Sequence, residues 1–151
     1  MKIRVQGDAF DLGAEVDAMR GGRSDIGAIA SFVGLARDMN EGSGVAAMTL
    51  EHYPGMTEKA LGKVVDDACA RWPLLDVTVI HRVGHLLPGD PIVLVVVASH
   101  HRAEAFAACE FIMDYLKTRA PFWKKEETPE GARWVEARAS DEDAAARWAE
   151  G

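Results

Sequence analysis

Only two of the 151 residues are cysteine, Cys69 and Cys109, forty positions apart and without a CxxC pair, which leaves neither a zinc ribbon nor a disulfide scaffold. Long apolar runs are also missing. The longest, Ile92 to Ala98, is far too short to span a bilayer, and Met1 to Phe10 carries no apolar core of the signal-peptide kind, so a reducing cytoplasm is the expected setting. Positive charge is the minority charge, with 17 Lys and Arg against 24 Asp and Glu for a net −7. Nucleic acid and anionic membranes need a broad basic surface, and this balance excludes one. There is no GxGxxG, no GxxxxGK[ST], no Ser-His-Asp order with a nucleophile elbow, no suggestive carboxylate pair, no internal repeat and no low-complexity segment. A length of 151 residues at 48% hydrophobic content suits a single domain, spanning 1–151, with a real core.

What is present reads as alternating strands and helices. Lys2 to Gln6 alternates polar and apolar, as a first strand does, and Ala28 to Ala36 and Ala47 to Tyr53 are apolar stretches on either side of Asn40-Glu41-Gly42-Ser43-Gly44, a glycine-rich loop of the kind that is most often a plain connection and less often a lid over a ligand. Pro54-Gly55 is a turn, and Thr57 is the expected N-cap of a helix burying Ala60, Leu61, Val64, Val65 and Ala68 and ending at Trp72-Pro73. Val77 to Arg82 and Ile92 to Ser99 read as a strand pair across the Leu87-Pro88-Gly89-Asp90 turn. The second has no polar alternation, which implies a central strand buried on both faces. Phe106, Cys109, Ile112, Met113 and Leu116 then form a helical stripe over Ala103 to Lys117. Trp134 to Arg138 suits a last strand, and Ser140 with Asp143 resembles a capping box opening a short helix. Hairpins mixed with crossover helices favour an α+β fold, a mostly antiparallel mixed sheet with packed helices, over a doubly wound parallel one.

The segment Asp114 to Lys125 opposes the global charge. It holds four cations, Lys117, Arg119, Lys124 and Lys125, together with Phe122 and Trp123, and no acid falls between Tyr115 and Lys125. Pro121 must end the helix near Ala120, so Lys117 in its last turn and Lys124 beyond the break can converge on one anion pocket. A lysine at a helix end is most often just a partner of the helix dipole. Neighbouring cations and burial against Phe122 and Trp123 would lower its pKa toward nucleophile or acid-base duty. At the exit of the buried strand, His100-His101-Arg102 offers one histidine and an arginine for a phosphate or carboxylate, the alternative being a structural histidine. Arg37 closes another strand. His81 and His85 have a metal spacing only on a helix, and Gly84 and the strand pattern spoil it.

Three blocks carry a resemblance: Leu50-Glu51-His52-Tyr53-Pro54-Gly55-Met56-Thr57-Glu58-Lys59-Ala60, Val79-Ile80-His81-Arg82-Val83-Gly84, and Phe111 through Lys124. In order, from about Phe32 to Arg138, the chain resembles the catalytic, larger subunit of molybdopterin synthase. That resemblance implies an α/β hammerhead-like fold and the delivery of dithiolene sulfurs to cyclic pyranopterin monophosphate, giving molybdopterin. It implies a ubiquitin-like small subunit whose C-terminal thiocarboxylate carries the sulfur, a homodimer at the centre of a heterotetramer with pocket residues crossing the interface, and neither metal nor cofactor. Both substrate groups are anions, which suits a basic pocket in an acidic chain. By position, Lys117 and Lys124 match the family's catalytic lysines, and Arg37, His101 and Arg102 its pterin and phosphate pocket, with Lys125, Glu126 and Arg138 as further contacts. Val33 and Leu35 stand where the family pattern has threonine and lysine, so positions 35 and 36 are left with backbone contacts from Leu35 and Ala36. A Schiff-base lysine enzyme and a non-catalytic docking module for a ubiquitin-like tail are the competing readings.

Overall fold

The computed structural model describes residues 1–40, 43–135, 139–146 and 148–149, and within them two four-stranded sheets share the chain with four helices. The first sheet has the order β1-β6-β8-β2, built from β1 (Lys2–Gln6), β2 (Ala28–Leu35), β6 (Leu74–Arg82) and β8 (Pro91–Ser99). Only β1 and β6 run parallel; the other pairs are antiparallel. The second sheet, β10-β9-β5-β7, is antiparallel throughout and joins β5 (Ala47–His52), β7 (Gly84–Leu86), β9 (Phe122–Thr128) and β10 (Gly131–Val135). A further ribbon pairs β3 (Met39–Asn40) with β4 (Ser43–Gly44), inside the expected loop.

The central position of β8 follows from its side chains. Period-2 alternation sends Val93, Val95 and Val97 to one face and Leu94, Val96 and Ala98 to the other, and both sets are buried in separate clusters. The first face is covered by α2 (Met56–Arg71) and α3 (Arg102–Arg119), the second by α1 (Leu12–Arg20). On α3 the buried arc runs through Ala105, Ala108, Cys109, Ile112 and Leu116. Phe106, expected in that stripe, is instead 66% exposed, because a step of about 100° from Ala105 carries it to the edge shared with Glu110 and Lys117. The last helix, α4 (Ala139–Ala146), begins ahead of Ser140, so Ser140 is not its cap. Beyond it the Trp148 indole donates to Asp114 at 2.6 Å and its ring meets Trp72 and Phe111 edge-on.

Two other expectations change. The N-cap of α2 is Gly55, at φ 85° where a side chain would be strained, and Glu58 reaches back to accept from its amide at 2.8 Å. Thr57 is fully buried and bridges instead, its hydroxyl accepting from the Tyr53 amide and donating to the Pro121 carbonyl, both at 3.0 Å. It thereby ties the start of α2 to the entry of β9. The last strand is Gly131–Val135, earlier than expected, and Arg138 lies outside the described residues.

Candidate functional site

Pro121 ends α3 as the residue preferences require: the helix stops at Arg119, and Ala120 is extended at φ −82°, ψ 132°. Lys117 sits in the last turn and Lys124 on β9. Lys117 is exposed, not buried against Phe122 and Trp123. The reason is alternation along β9: Phe122 turns inward and stacks on His81, centroids 3.8 Å apart at 19°, while Trp123 turns outward and is 48% exposed. Arg119 folds back over the Tyr115 ring at 4.1 Å.

The same alternation divides the other basic residues. Lys124 and Glu126 share the Phe122 face, and Glu126, 2% exposed, lies 3.9 Å from the Lys124 ammonium and 3.3 Å from the Arg133 guanidinium. Arg133 faces Glu126 directly in the β9–β10 register. Lys125 faces the other way, over the Trp134 ring at 5.9 Å, so it does not join Lys124. A buried carboxylate held between cations fixes the lysine it touches, and removing it would strand charge in the sheet. Arg133 carried no sequence signal; its role follows from register alone.

Behind Lys117 lies a buried imidazole. His81 follows Val77 and Val79 on the helix-facing side of β6 and is 6% exposed. Its Nδ1 lies 2.8 Å from the Arg82 carbonyl, which can only accept, so Nδ1 carries the proton and Nε2 the lone pair. Burial pushes its pKa down to about 4; the Arg82 carbonyl opposes this, and the charges of Lys117 and then His52 add to it. His52 pairs with Glu58 at 3.7 Å. The unfolded chain therefore takes up this proton first, near the ordinary value of 6.5. Stability is complete above that value and falls as pH drops through about 4, by on the order of 3 kcal/mol. Denaturant melts at about pH 7 and pH 4.5 should show this loss in the native chain and a smaller one in His81→Phe; equal losses would exclude His81 as the cause.

Leu35, Ala36 and Arg37 lie at the same end of the first sheet, since Gly34 and His81 both register with Val93. Leu35 is 53% exposed and Arg37 exposed. Ala36 is buried, with its N–H donating to Asp90 at 2.9 Å and its carbonyl accepting from Gly89 at 2.7 Å, so its backbone serves the 87–90 turn.

His101 and Arg102 are elsewhere. They start α3, whose far end carries Lys117, and fifteen residues of helix separate Arg102 from Lys117, about 22 Å at the helical rise. His100 turns back onto its own chain, with Nδ1 at 2.9 Å from the Asp25 carbonyl, while His101 is the exposed N-cap residue. Asp25 is forked by Arg23 at 3.0 and 2.8 Å. One chain thus presents two basic ends, with Lys117, Lys124, Arg37 and Leu35 at one and His101 and Arg102 at the other. Among the described residues no three His, Cys, Asp or Glu side chains cluster as a metal site would require, and no helix is long and apolar enough to cross a membrane.

The fold and these basic ends define a two-sheet α+β protein equipped to hold anions with lysine, arginine and histidine. The family model described as MoaE protein matches residues 5–119, and the chain belongs to that family, whose curated members make it an enzyme of molybdenum cofactor biosynthesis. The chain is 69% identical over 146 residues to the molybdopterin synthase catalytic subunit of Ralstonia nicotianae, covering 97% of this chain and 83% of that one. A solved structure, the molybdopterin biosynthesis MoaE protein from Burkholderia ambifaria, superposes with a TM-score of 0.84 at 60% identity, covering 98% and 97% of the two chains. A Helicobacter pylori complex of subunits 1 and 2 of molybdopterin-converting factor shares the fold at a TM-score of 0.73 and 20% identity, over 90% of this chain and 91% of that one.

Proposed function

We propose that the chain transfers sulfur from the C-terminal thiocarboxylate of a ubiquitin-like small subunit to cyclic pyranopterin monophosphate, forming the dithiolene of molybdopterin in the cytoplasm. The observation that carries this reading is the placement of Lys117 and Lys124 beside one another's elements across the Pro121 break, in a chain of net charge −7. Lys117 binds the thiocarboxylate and the oxyanion that develops at its carbonyl, and moves a proton as a second role. Lys124, steadied by Glu126, orients the pterin and offsets its charge. Arg37 contributes from the end of β2. The small-subunit partner is supported by the Helicobacter pylori relative, which is itself a complex of two subunits. The Schiff-base alternative needs a desolvated lysine, and the exposure of Lys117 counts against it.

His101 and Arg102 are too far from the lysines of their own chain to share a pocket with them, so in this reading they complete the pocket of a second copy. The assembly is a symmetric homodimer inside a heterotetramer. Light scattering should give a dimer for the isolated chain. Mixing inactive Lys117→Ala with inactive Arg102→Ala chains should restore part of the activity, because one pocket of the mixed dimer is intact; a monomer, or no restoration, would refute the shared pocket. The function itself is tested by mixing the chain with thiocarboxylated partner and cyclic pyranopterin monophosphate and detecting molybdopterin as its fluorescent oxidised derivative. Partner binding without product would leave the docking-module reading.

A further inference from the structure

β2 is an edge strand, paired on one side to β8, and among the described residues no strand lies along its other side. Such an edge presents a row of unpaired amides and carbonyls, which proteins guard with charge, proline or a bulge. The opposite edge of this sheet is guarded: β1 carries Lys2 and Arg4, both reaching Glu15. β2, Ala-Ile-Ala-Ser-Phe-Val-Gly-Leu, has neither charge nor proline, and its one irregularity falls at its last step, between Gly34 and Leu35. Phe32, at 42%, and Leu35 are exposed along it. Above the same edge α3 rests on both β8 and β2, while α2 lies over β1 and β6. Phe111 meets Trp72 at the end of α2. The exposed Phe106, five residues earlier and about 140° round the helix, is therefore on the flank away from α2, over β2.

We infer that β2 pairs antiparallel with β2 of a second copy, with Phe32 on the two-fold axis, joining two four-stranded sheets into one continuous sheet. Residues directly opposite one another in an antiparallel pair share a face, so a two-fold axis normal to the sheet must pass where a residue meets itself. At the middle of β2 that residue is Ser31 or Phe32. With Phe32 on the axis, the two phenyl rings meet on the face of Ala28 and Ala30, under α3, and Leu35 meets the second copy's Ile29 on the face of α1. With Ser31 there, Leu35 would face only Gly27. Strands are about 4.8 Å apart, so a helix seated over the β2–β8 boundary stands about 5 Å from the axis, and the two copies of α3 run antiparallel about 10 Å apart, an ordinary helix-packing distance. Phe106 lies in that seam. Antiparallel pairing also exchanges the ends. The end of one copy that carries Leu35 and Arg37 comes level with Gly27 of the other, whose amide is bonded to Ser99 just ahead of His101 and Arg102. Residues that α3 holds about 22 Å apart within one chain are thereby brought to one place across the axis.

The catalytic meaning of this pairing rests on the shared pocket proposed above, and cross-linking reads the interface without the chemistry. Phe32→Cys should form a disulfide-linked dimer readily with oxidised glutathione, since Cβ atoms that face one another across an antiparallel pair stand about 4.5 to 5.5 Å apart. Ser31→Cys, displaced from its own copy by two positions along the ladder, should link about tenfold more slowly. Arg4→Cys, on the β1 edge, should link no faster than the native chain with its Cys69 and Cys109. Phe32→Lys sets two cations against each other at the axis and should turn the isolated chain from dimer to monomer in light scattering, with native far-ultraviolet circular dichroism. Linkage no faster at Phe32 than at Ser31 or Arg4, or a Phe32→Lys chain that stays dimeric, would overturn the pairing. Suppression of Phe32→Cys linkage by the small subunit would also overturn it, by giving this edge to the partner's tail. Linkage at Phe32 with no activity restored in mixed Lys117→Ala and Arg102→Ala dimers would uphold the interface and refute the shared pocket.

Discussion

Lys117→Ala should lower molybdopterin formation roughly a hundredfold to a thousandfold, the loss of about 3 to 4 kcal/mol of transition-state stabilisation typical of one preorganised electrostatic group. The thermal midpoint should hardly move, because Lys117 is exposed on the α3 edge shared with Glu110 and Phe106 and contributes nothing to the buried arc of Ala105, Ala108, Cys109, Ile112 and Leu116. Binding of the small subunit should persist, since one solvent-exposed ion pair contributes at most about 1 kcal/mol of affinity. Lys125→Ala is the control. It removes the same charge within a few residues, yet its ammonium lies over Trp134 on the opposite face of β9, and turnover should stay within a few-fold of the native rate. Turnover measured with saturating partner, beside a binding titration, separates these outcomes. If Lys125→Ala fell as far as Lys117→Ala, the division of β9 into two faces would not describe the working site.

Gly27→Ala should be the most destabilising small substitution in the chain. A Cβ at Gly27 would stand 1.9 Å from the His100 carbonyl oxygen and 3.0 Å from its carbon, and the obstacle is backbone, not the end of a flexible side chain. The Gly27 amide also donates to Ser99 at 3.0 Å, so neither strand can withdraw without losing that bond. Overpacking of this kind costs on the order of 3 kcal/mol, which for a chain of this size lowers the thermal midpoint by about 6 to 12 °C. The displacement would fall on His100 and carry His101 and Arg102 with it. Calorimetry should register the loss of stability, and the KM for the pterin substrate should rise in whatever fraction remains folded. A midpoint within about 2 °C of the native value would mean that the β2–β8 edge yields easily at this point.

The chain announces some of this structure and conceals the rest, and the division has physical causes. β8 was legible because an unbroken run of Val, Leu and Ile between Pro91 and Ser99 has no arrangement other than burial on both faces. The end of α3 was legible because proline dictates it. β9 was not, since Phe-Trp-Lys-Lys-Glu-Glu-Thr lacks polar–apolar alternation; its neighbours β5 and β10 make it a strand. That omission left Lys124 and Lys125 grouped in one cluster of cations, although they face opposite ways, because parity is invisible until the register is known. α1 escaped notice with a single buried residue, Met19, although Asp11 caps it and Gly21 closes it in the left-handed region. Thr57 looked like a cap because helix starts favour threonine, and its link to Pro121, sixty-four positions away, has no local signature. Lys117 and Lys124 stand out by local charge around Pro121, and His101, Arg102 and Arg37 by their place at strand ends; family likeness supplies their roles, whereas their division between two ends of the molecule comes from topology.

That division makes α3 a ruler. The helix is unbroken from Arg102 to Arg119, so inserting or deleting one residue anywhere within it would shift its far end by about 1.5 Å and turn it by about 100°. A loop absorbs such a change locally. Here the error would be transmitted to Lys117 in one pocket and, through the second copy proposed above, would misalign that pocket against the His101 and Arg102 that complete it. Length along this helix is thus as much a specification of the chemistry as the identity of the residues at its ends.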